Sequence, residues 1–223
     1  EICACLVGSE MCIRDRLHPE HLSAYHLIYE EDTVLWKLRE QHKVEEADED
    51  LSVSLFSTLI DRLTSEGYDH YEISNFSLPG LYSRHNSSYW TEKKYLGCGP
   101  SAHSYNGVSR QWNVASLDTY IKGISAGTPV FEIEELDLYT RYNDFVITRI
   151  RTEWGMPLSK LRDEFGEKLY DYCLRMAAPH LKQGTLELVN DILKLTRKGI
   201  FISDGIMLSL IHISEPTRHA QIS

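Results

Sequence analysis

The sequence has 223 residues, with 33 acidic and 23 basic side chains and a formal charge of −10. At 42% hydrophobic and 25% charged residues it reads as an ordinary globular chain. The acidic balance argues against a non-specific nucleic-acid binder, and no apolar run reaches the ~20 residues of a membrane helix.

In chain order, the first feature concerns both ends. Residues 6–16 read LVGSEMCIRDR and residues 208–218 read LSLIHISEPTR. One codon choice for the second stretch has a reverse complement that, read one base in, spells the first. Such DNA resembles a transposase-type sequencing adapter, so 1–16 and 208–223 are expected to be adapter-encoded tails that pack poorly. Residues 1–16 also lack the basic-then-apolar order of a secretory signal. Setting the tails aside removes Cys3, Cys5 and Cys12 and leaves Cys98 and Cys173. Two cysteines are too few for a disulfide framework or a four-ligand zinc site, and they suit a reducing, cytoplasmic setting.

Residues 22–29 (LSAYHLIY) are almost continuously apolar, the pattern of a strand buried on both faces, with His26 as a core histidine. A polar loop is expected up to about residue 46. Leu51, Leu55, Phe56, Leu59, Ile60 and Leu63 follow helical spacing over 50–66, with Gly67 as C-terminal cap. Residues 68–76 read as the next strand, so strand, helix and strand form a βαβ unit of an α/β protein. The stretch 77–113 is rich in Pro and Gly and poor in periodicity, which in a compact protein points to functional loops. Ser116 caps a short helix to Ile124, and Leu138, Tyr142, Phe145, Val146 and Ile150 mark a longer one. Pro157 starts a short helix to Phe165, a further helix runs to Gly184, and 186–189 and 192–195 flank Asn190-Asp191 as a hairpin. Helices followed by a hairpin indicate a winged-helix-like domain, which sets the expected domains at 17–113 and 114–207.

The loop region holds the candidate chemistry. Arg84-His85-Asn86-Ser87-Ser88-Tyr89-Trp90 brings an imidazole, an amide, a phenol and an indole together. Imidazole ligates iron and flat rings stack on planar ligands, but the same residues also serve to anchor a loop. In Tyr95-Leu96-Gly97-Cys98-Gly99-Pro100-Ser101-Ala102-His103, the glycines allow close backbone approach to a ligand. Cys98 reads more readily as a small packing residue than as a nucleophile.

HLSAYHLIYE, YEISNFS, RHNSSYW and YLGCGPSAHSY, in this order, resemble the HemW family of radical S-adenosylmethionine (SAM) proteins. These are haem chaperones, commonly labelled oxygen-independent coproporphyrinogen III oxidase-like. The resemblance spans essentially all of 17–207, and its specific element is H-N-x-x-Y-W at His85, Asn86, Tyr89 and Trp90. It implies the C-terminal remnant of a partial (β/α)6 barrel followed by a helical winged-helix-like domain with a small hairpin. It also implies a [4Fe-4S] cluster held by C-x-x-x-C-x-x-C, which 17–207 does not contain. The cluster cysteines are therefore expected upstream, with no catalytic residue and no metal ligand in this chain, which is expected to be inactive. By position, Ile28 and His103 match places where family members line the SAM pocket. The implied partners are haem or porphyrin and haem-acceptor proteins, a membrane-associated acceptor among them, and no nucleic acid. Two other readings stay open: a coproporphyrinogen oxidase, and a winged-helix protein-binding module. For the module, the acidic residues after 135 leave no basic face for nucleic acid.

Overall fold

A computed structural model describes residues 18–211, and the expectations for 1–16 and 212–223 lie outside the described residues. The chain divides at Ser83/Arg84 into two compact units. That division falls upstream of the 113/114 boundary expected from sequence, because Arg84 to Asn113 groups with the C-terminal residues.

The first unit holds β1 (His21–Ser23), α1 (Val34–Glu40), α2 (Glu49–Ser65), β2 (Asp69–Glu72) and β3 (Asn75–Ser77). α2 forms as its pattern predicts. Asp48 accepts from the Leu51 N–H at 2.7 Å, Glu49 and Asp50 favour the positive helix start, and Gly67 leaves at φ +85°. Ile60 and Leu63 face inward, and Tyr68, Tyr71 and Phe76 complete the core. The strand order is β1-β3-β2, with both neighbours antiparallel to β3. β1 and β2 thus run in the same direction but are separated by β3, which replaces the expected parallel pair. The strand expected over 68–76 folds back at Ile73-Ser74 into two short strands.

The strand expected over 22–29 is also corrected. Pairing ends at Ser23 and Ala24, whose N–H donates to Ser74 O at 2.8 Å. Beyond it Tyr25, Leu27 and Ile28 are 69%, 43% and 73% exposed. An apolar run becomes a strand only against a partner edge, and β3 ends that edge. α1 lies within the expected polar loop; Thr33 caps it, accepting from Trp36 N at 3.2 Å.

The second unit begins with α3 (Arg84–Trp90), β4 (His103–Tyr105), β5 (Ser109–Asn113), α4 (Leu117–Ser125) and β6 (Phe131–Glu135). Next come α5 (Leu138–Ile150), β7 (Met156–Pro157), α6 (Leu158–Gln183), β8 (Leu186–Val189), β9 (Ile192–Leu195), α7 (Arg197–Ile200) and α8 (Ser203–Leu210). β4-β5-β6 and β7-β9-β8 are two antiparallel sheets. The two helices expected over 157–184 meet end to end in α6, where Gly166 at φ +80°, ψ 169° breaks the helical path. Asn190 and Asp191 both take positive φ, as a tight hairpin turn requires.

The core of this unit is helical. Tyr142, Phe145, Val146 and Ile150 of α5 meet Leu161, Leu169, Cys173 and Ala177 of α6 and Ile206 and Leu210 of α8. Each large apolar side chain buried here contributes roughly 1.5–3 kcal/mol. Residues 208–211 depart from the expectation of a loosely packed tail. Leu210 is fully buried, Tyr142 donates to Leu210 O at 2.9 Å, and Tyr172 donates to Ile211 O at 3.0 Å. Leu210 falls three to four residues after Ile206 and Met207, so helical spacing carries it onto their face whatever its coding origin.

Candidate functional site

The candidate haem-binding residues sit on a helix, not in the loop expected from sequence. α3 places His85 and Tyr89 one turn apart, both exposed, while Asn86 and Trp90, also one turn apart, are half-buried. The Tyr89 hydroxyl lies 3.3 Å from His85 Nε2, and the two rings meet edge to face at 5.1 Å. Tyr89 in turn leans edge-on against Tyr95 at 4.9 Å. Tyr95 is pinned by Tyr105, with backbone N–H···O bonds of 3.0 and 2.9 Å in the two directions. Burial, and then the neighbouring Tyr89 phenol, push the Tyr95 phenol above its ordinary pKa.

Trp90 serves the inner side of the helix. Its indole carries the Arg151 guanidinium at 4.3 Å, and its buried Nε1–H has no partner among the described residues. One face of Trp90 is therefore already covered, which makes it an anchor of α3. The helix ends in a Schellman-type turn. Glu92 N donates to Tyr89 O at 3.3 Å, Lys93 N to Ser88 O at 3.1 Å, and Glu92 stands at φ +57° where glycine is usual. The Glu92 carboxylate accepts from Arg149 at 3.2 Å and from Lys160 at 3.3 Å, tying the helix end to α5 and α6.

The glycine loop is satisfied internally. Gly97 N donates to Ser104 Oγ at 3.0 Å, Gly99 N to the Tyr120 hydroxyl at 2.9 Å, and Asn113 Nδ2 to Gly99 O at 2.9 Å. Gly97 has no room for a side chain, since a Cβ there would stand 2.1 Å from His103 O. The close approach that glycine permits is to the chain's own backbone. His103 is exposed on β4, with its ring 5.9 Å from that of Trp112 across the β4–β5 pair. Ile28 lies in the first unit, in an irregular exposed stretch.

Several residues near the candidate site escape sequence reading. Glu92, Tyr95 and the Arg110–Asp144 ion pair have no local signature of their own. Burial pushes the Asp144 carboxyl up, against the hydrogen bond and charge of Arg110. The one signal in the sequence is the four-residue spacing of His85–Tyr89 and Asn86–Trp90, which matches a helix turn. In the first unit, Glu72 is buried and accepts from Ser74 N at 3.0 Å and from Asn75 Nδ2. A groove of about 570 Å³ at the Gly166 break, lined by Tyr139, Phe165, Tyr172 and Arg175, contains none of the expected site residues.

The described residues do not fit an iron–sulfur cluster. No group of three or more His, Cys, Asp or Glu converges among them. Cys98 is exposed, while Cys173 is fully buried and burial pushes its thiol up to about 11, away from the thiolate that iron requires. No helix among the described residues is long and apolar enough to cross a membrane.

Residues 136–202 match the family model of the HemN C-terminal domain. The chain is 32% identical over 193 residues to the "Heme chaperone HemW" of Mycobacterium tuberculosis, covering 86% of this chain and 47% of that one. To the Bacillus subtilis protein of the same name it is 25% identical over 191 residues, 85% of this chain and 50% of the relative. A "Radical S-adenosyl methionine domain-containing protein 1, mitochondrial" of Bos taurus is 28% identical over 211 residues, 86% and 46% of the two chains. The solved coproporphyrinogen III oxidase (HemN) of Escherichia coli, a radical SAM enzyme, shares the fold with a TM-score of 0.68 at 17% identity, over 92% of this chain and 51% of that one. The chain thus spans about half the length of the relatives it matches. By the HemN C-terminal domain model over residues 136–202 and the HemW alignments, the chain is HemW-like over most of its length, and it shares its fold with the radical SAM enzyme HemN.

Proposed function

We propose that this chain carries the haem-contacting part of a haem chaperone, with His85 as axial iron ligand. One observation carries the reading. His85 is presented to solvent from α3, and among the described residues it hydrogen-bonds the Tyr89 phenol and no backbone group. A histidine kept only to brace the chain would bond the backbone and be buried. Tyr89 borders the ligand side, Trp90 anchors the helix through Arg151, and Asn86 sits beside it on the inner face.

Haem is cargo in this reading: delivery to acceptor proteins accords with the chaperone name of the relatives, and the cytoplasm is the proposed setting. The family resemblance implies a [4Fe-4S] cluster and SAM for the full-length protein. The cluster finds no ligand set among the described residues, and Ile28 and His103 are the proposed SAM-lining positions. Barrel-derived residues 17–113 and a HemN-type domain at 114–207 are the proposed organisation. The oxidase alternative is less favoured, because relatives covering most of this chain carry the chaperone name.

The test is a haem titration. Wild-type chain and His85→Ala are titrated with ferric haem, and a thermal melt is run on the same preparations. A ligand role predicts at least tenfold weaker binding with the melt nearly unchanged. Unchanged affinity in a well-folded variant rejects it.

A further inference from the structure

We infer that the Tyr89 hydroxyl competes with iron for His85 Nε2, and that Tyr95 holds the phenol in that place. The inference rests on His85 being the iron ligand, as proposed above. It adds a control on when the ligand is available.

The geometry is local and explicit. Oη of Tyr89 stands 3.3 Å from Nε2, at the long end of a hydrogen bond, with the rings at 89° to one another. Nε2 projects from the far edge of the imidazole, while Nδ1 lies next to Cβ and the helix backbone. Nε2 is thus the nitrogen that an incoming planar group reaches first. Whether the phenol donates to the bare nitrogen or accepts from its N–H, Nε2 has no lone pair free for a metal. Iron gains the nitrogen only when the hydroxyl leaves it.

Tyr89 cannot leave without loss. Its ring packs edge-on against Tyr95 at 4.9 Å and 71°, and Tyr95 is fixed by paired backbone bonds to Tyr105. The Tyr95 and Tyr105 rings continue the row at 6.0 Å. On its other side Tyr89 is 38% exposed, so the outward direction is open. The arrangement therefore has a held state, phenol on Nε2, and an exit toward solvent. A neutral hydrogen bond of ordinary net strength corresponds to roughly a two- to tenfold effect on the equilibrium for iron.

The experiment uses the full 223-residue chain and ferric haem as the probe. Tyr89→Phe keeps the ring and its packing on Tyr95 but removes the hydroxyl, so haem binds roughly two- to tenfold tighter. Tyr95→Ala releases Tyr89 and shifts affinity in the same direction, with a melt on each variant to verify folding. In the His85→Ala background, Tyr89→Phe produces no gain, because the nitrogen being contested is gone. Unchanged or weaker binding by Tyr89→Phe, with His85→Ala still losing haem, overturns the competition and leaves the ligand role of His85 standing. Full haem binding by His85→Ala overturns both.

Discussion

Glu92 offers the sharpest test of how α3 is held, because two opposing effects meet in one residue. Its carboxylate, 22% exposed, bonds Arg149 and Lys160, which are 16% and 40% exposed. An exposed pair contributes about 0.5 kcal/mol, and removing one partner of a buried pair costs about 3–5 kcal/mol. Partial burial places the loss for Glu92→Ala near 2 kcal/mol by interpolation between those values. The backbone at φ +57° adds a second effect, since a side chain there costs about 1 kcal/mol that glycine avoids. Glu92→Gly therefore loses the same ion pairs and recovers about 1 kcal/mol, for a net loss of about 1 kcal/mol. Urea unfolding of wild type, Glu92→Ala and Glu92→Gly at one salt concentration measures both differences. In a domain of this size the Ala–Gly gap corresponds to about 2–4 °C in Tm. Equal stabilities, or a Gly variant weaker than the Ala variant, would refute the claim that the turn is strained and the carboxylate offsets it.

Other expectations concern the core, a helix cap, the cysteines and the glycine loop. Leu210→Ala should cost about 2–5 kcal/mol, because Leu210 is fully buried, whereas Leu208→Ala at 61% exposure should stay within about 0.5 kcal/mol in the same melt. Asp137 accepts from Thr140 N at 2.7 Å, which holds its carboxyl below the ordinary aspartate pKa. Its contribution is complete above an unfolded pKa of about 4 and is lost as pH falls through the lower folded pKa. Asp137→Ala should therefore lose about 1 kcal/mol at pH 7, with the gap to wild type closing in acid melts. Site-resolved alkylation at pH 8 should label Cys98 rapidly and Cys173 only on unfolding, since Cys173 is buried and its thiol is raised to about 11. Gly97→Ala should destabilise the second unit by more than about 1 kcal/mol in urea, because the three atoms its Cβ would meet within 3.0 Å, His103 O, His103 C and Ala102 C, all belong to the backbone.

How much was legible in the sequence depended on whether the determinant was local. α2 and α5 were readable from the helical spacing of their apolar residues, with Gly67 closing α2, and α4 from its Ser116 cap; the Asp48 and Asp137 caps emerge in the structure. The 186–195 hairpin was readable from Asn190-Asp191, whose chemistry suits positive φ. α3 was not. Its RHNSSYW sequence is short and poor in strong helix formers, and it is held through Glu92 and Trp90 by partners about sixty residues away. β4, β5 and β6 were missed because they are short; the apolar–acidic alternation of β6 (FEIEE) extends over only four residues, and all five residues of the strand are exposed. Residues 24–29 misled for the opposite reason. Their composition favours a strand, but the edge that would pair them ends at Asn75. The candidate site was legible as a motif, while the Tyr89–His85 contact and the Tyr95 support arise only from the folded helix.

The central claim is that His85 ligates haem iron, and the chain's other nine histidines make simple binding assays indirect. Pulsed electron paramagnetic resonance of the ferric haem complex, prepared with ¹⁵N-histidine, reads the axial nitrogen itself. Iron ligation by His85 gives a strong ¹⁵N coupling from one axial imidazole in the wild-type chain and its loss in His85→Ala. The same coupling persisting in His85→Ala would contradict it.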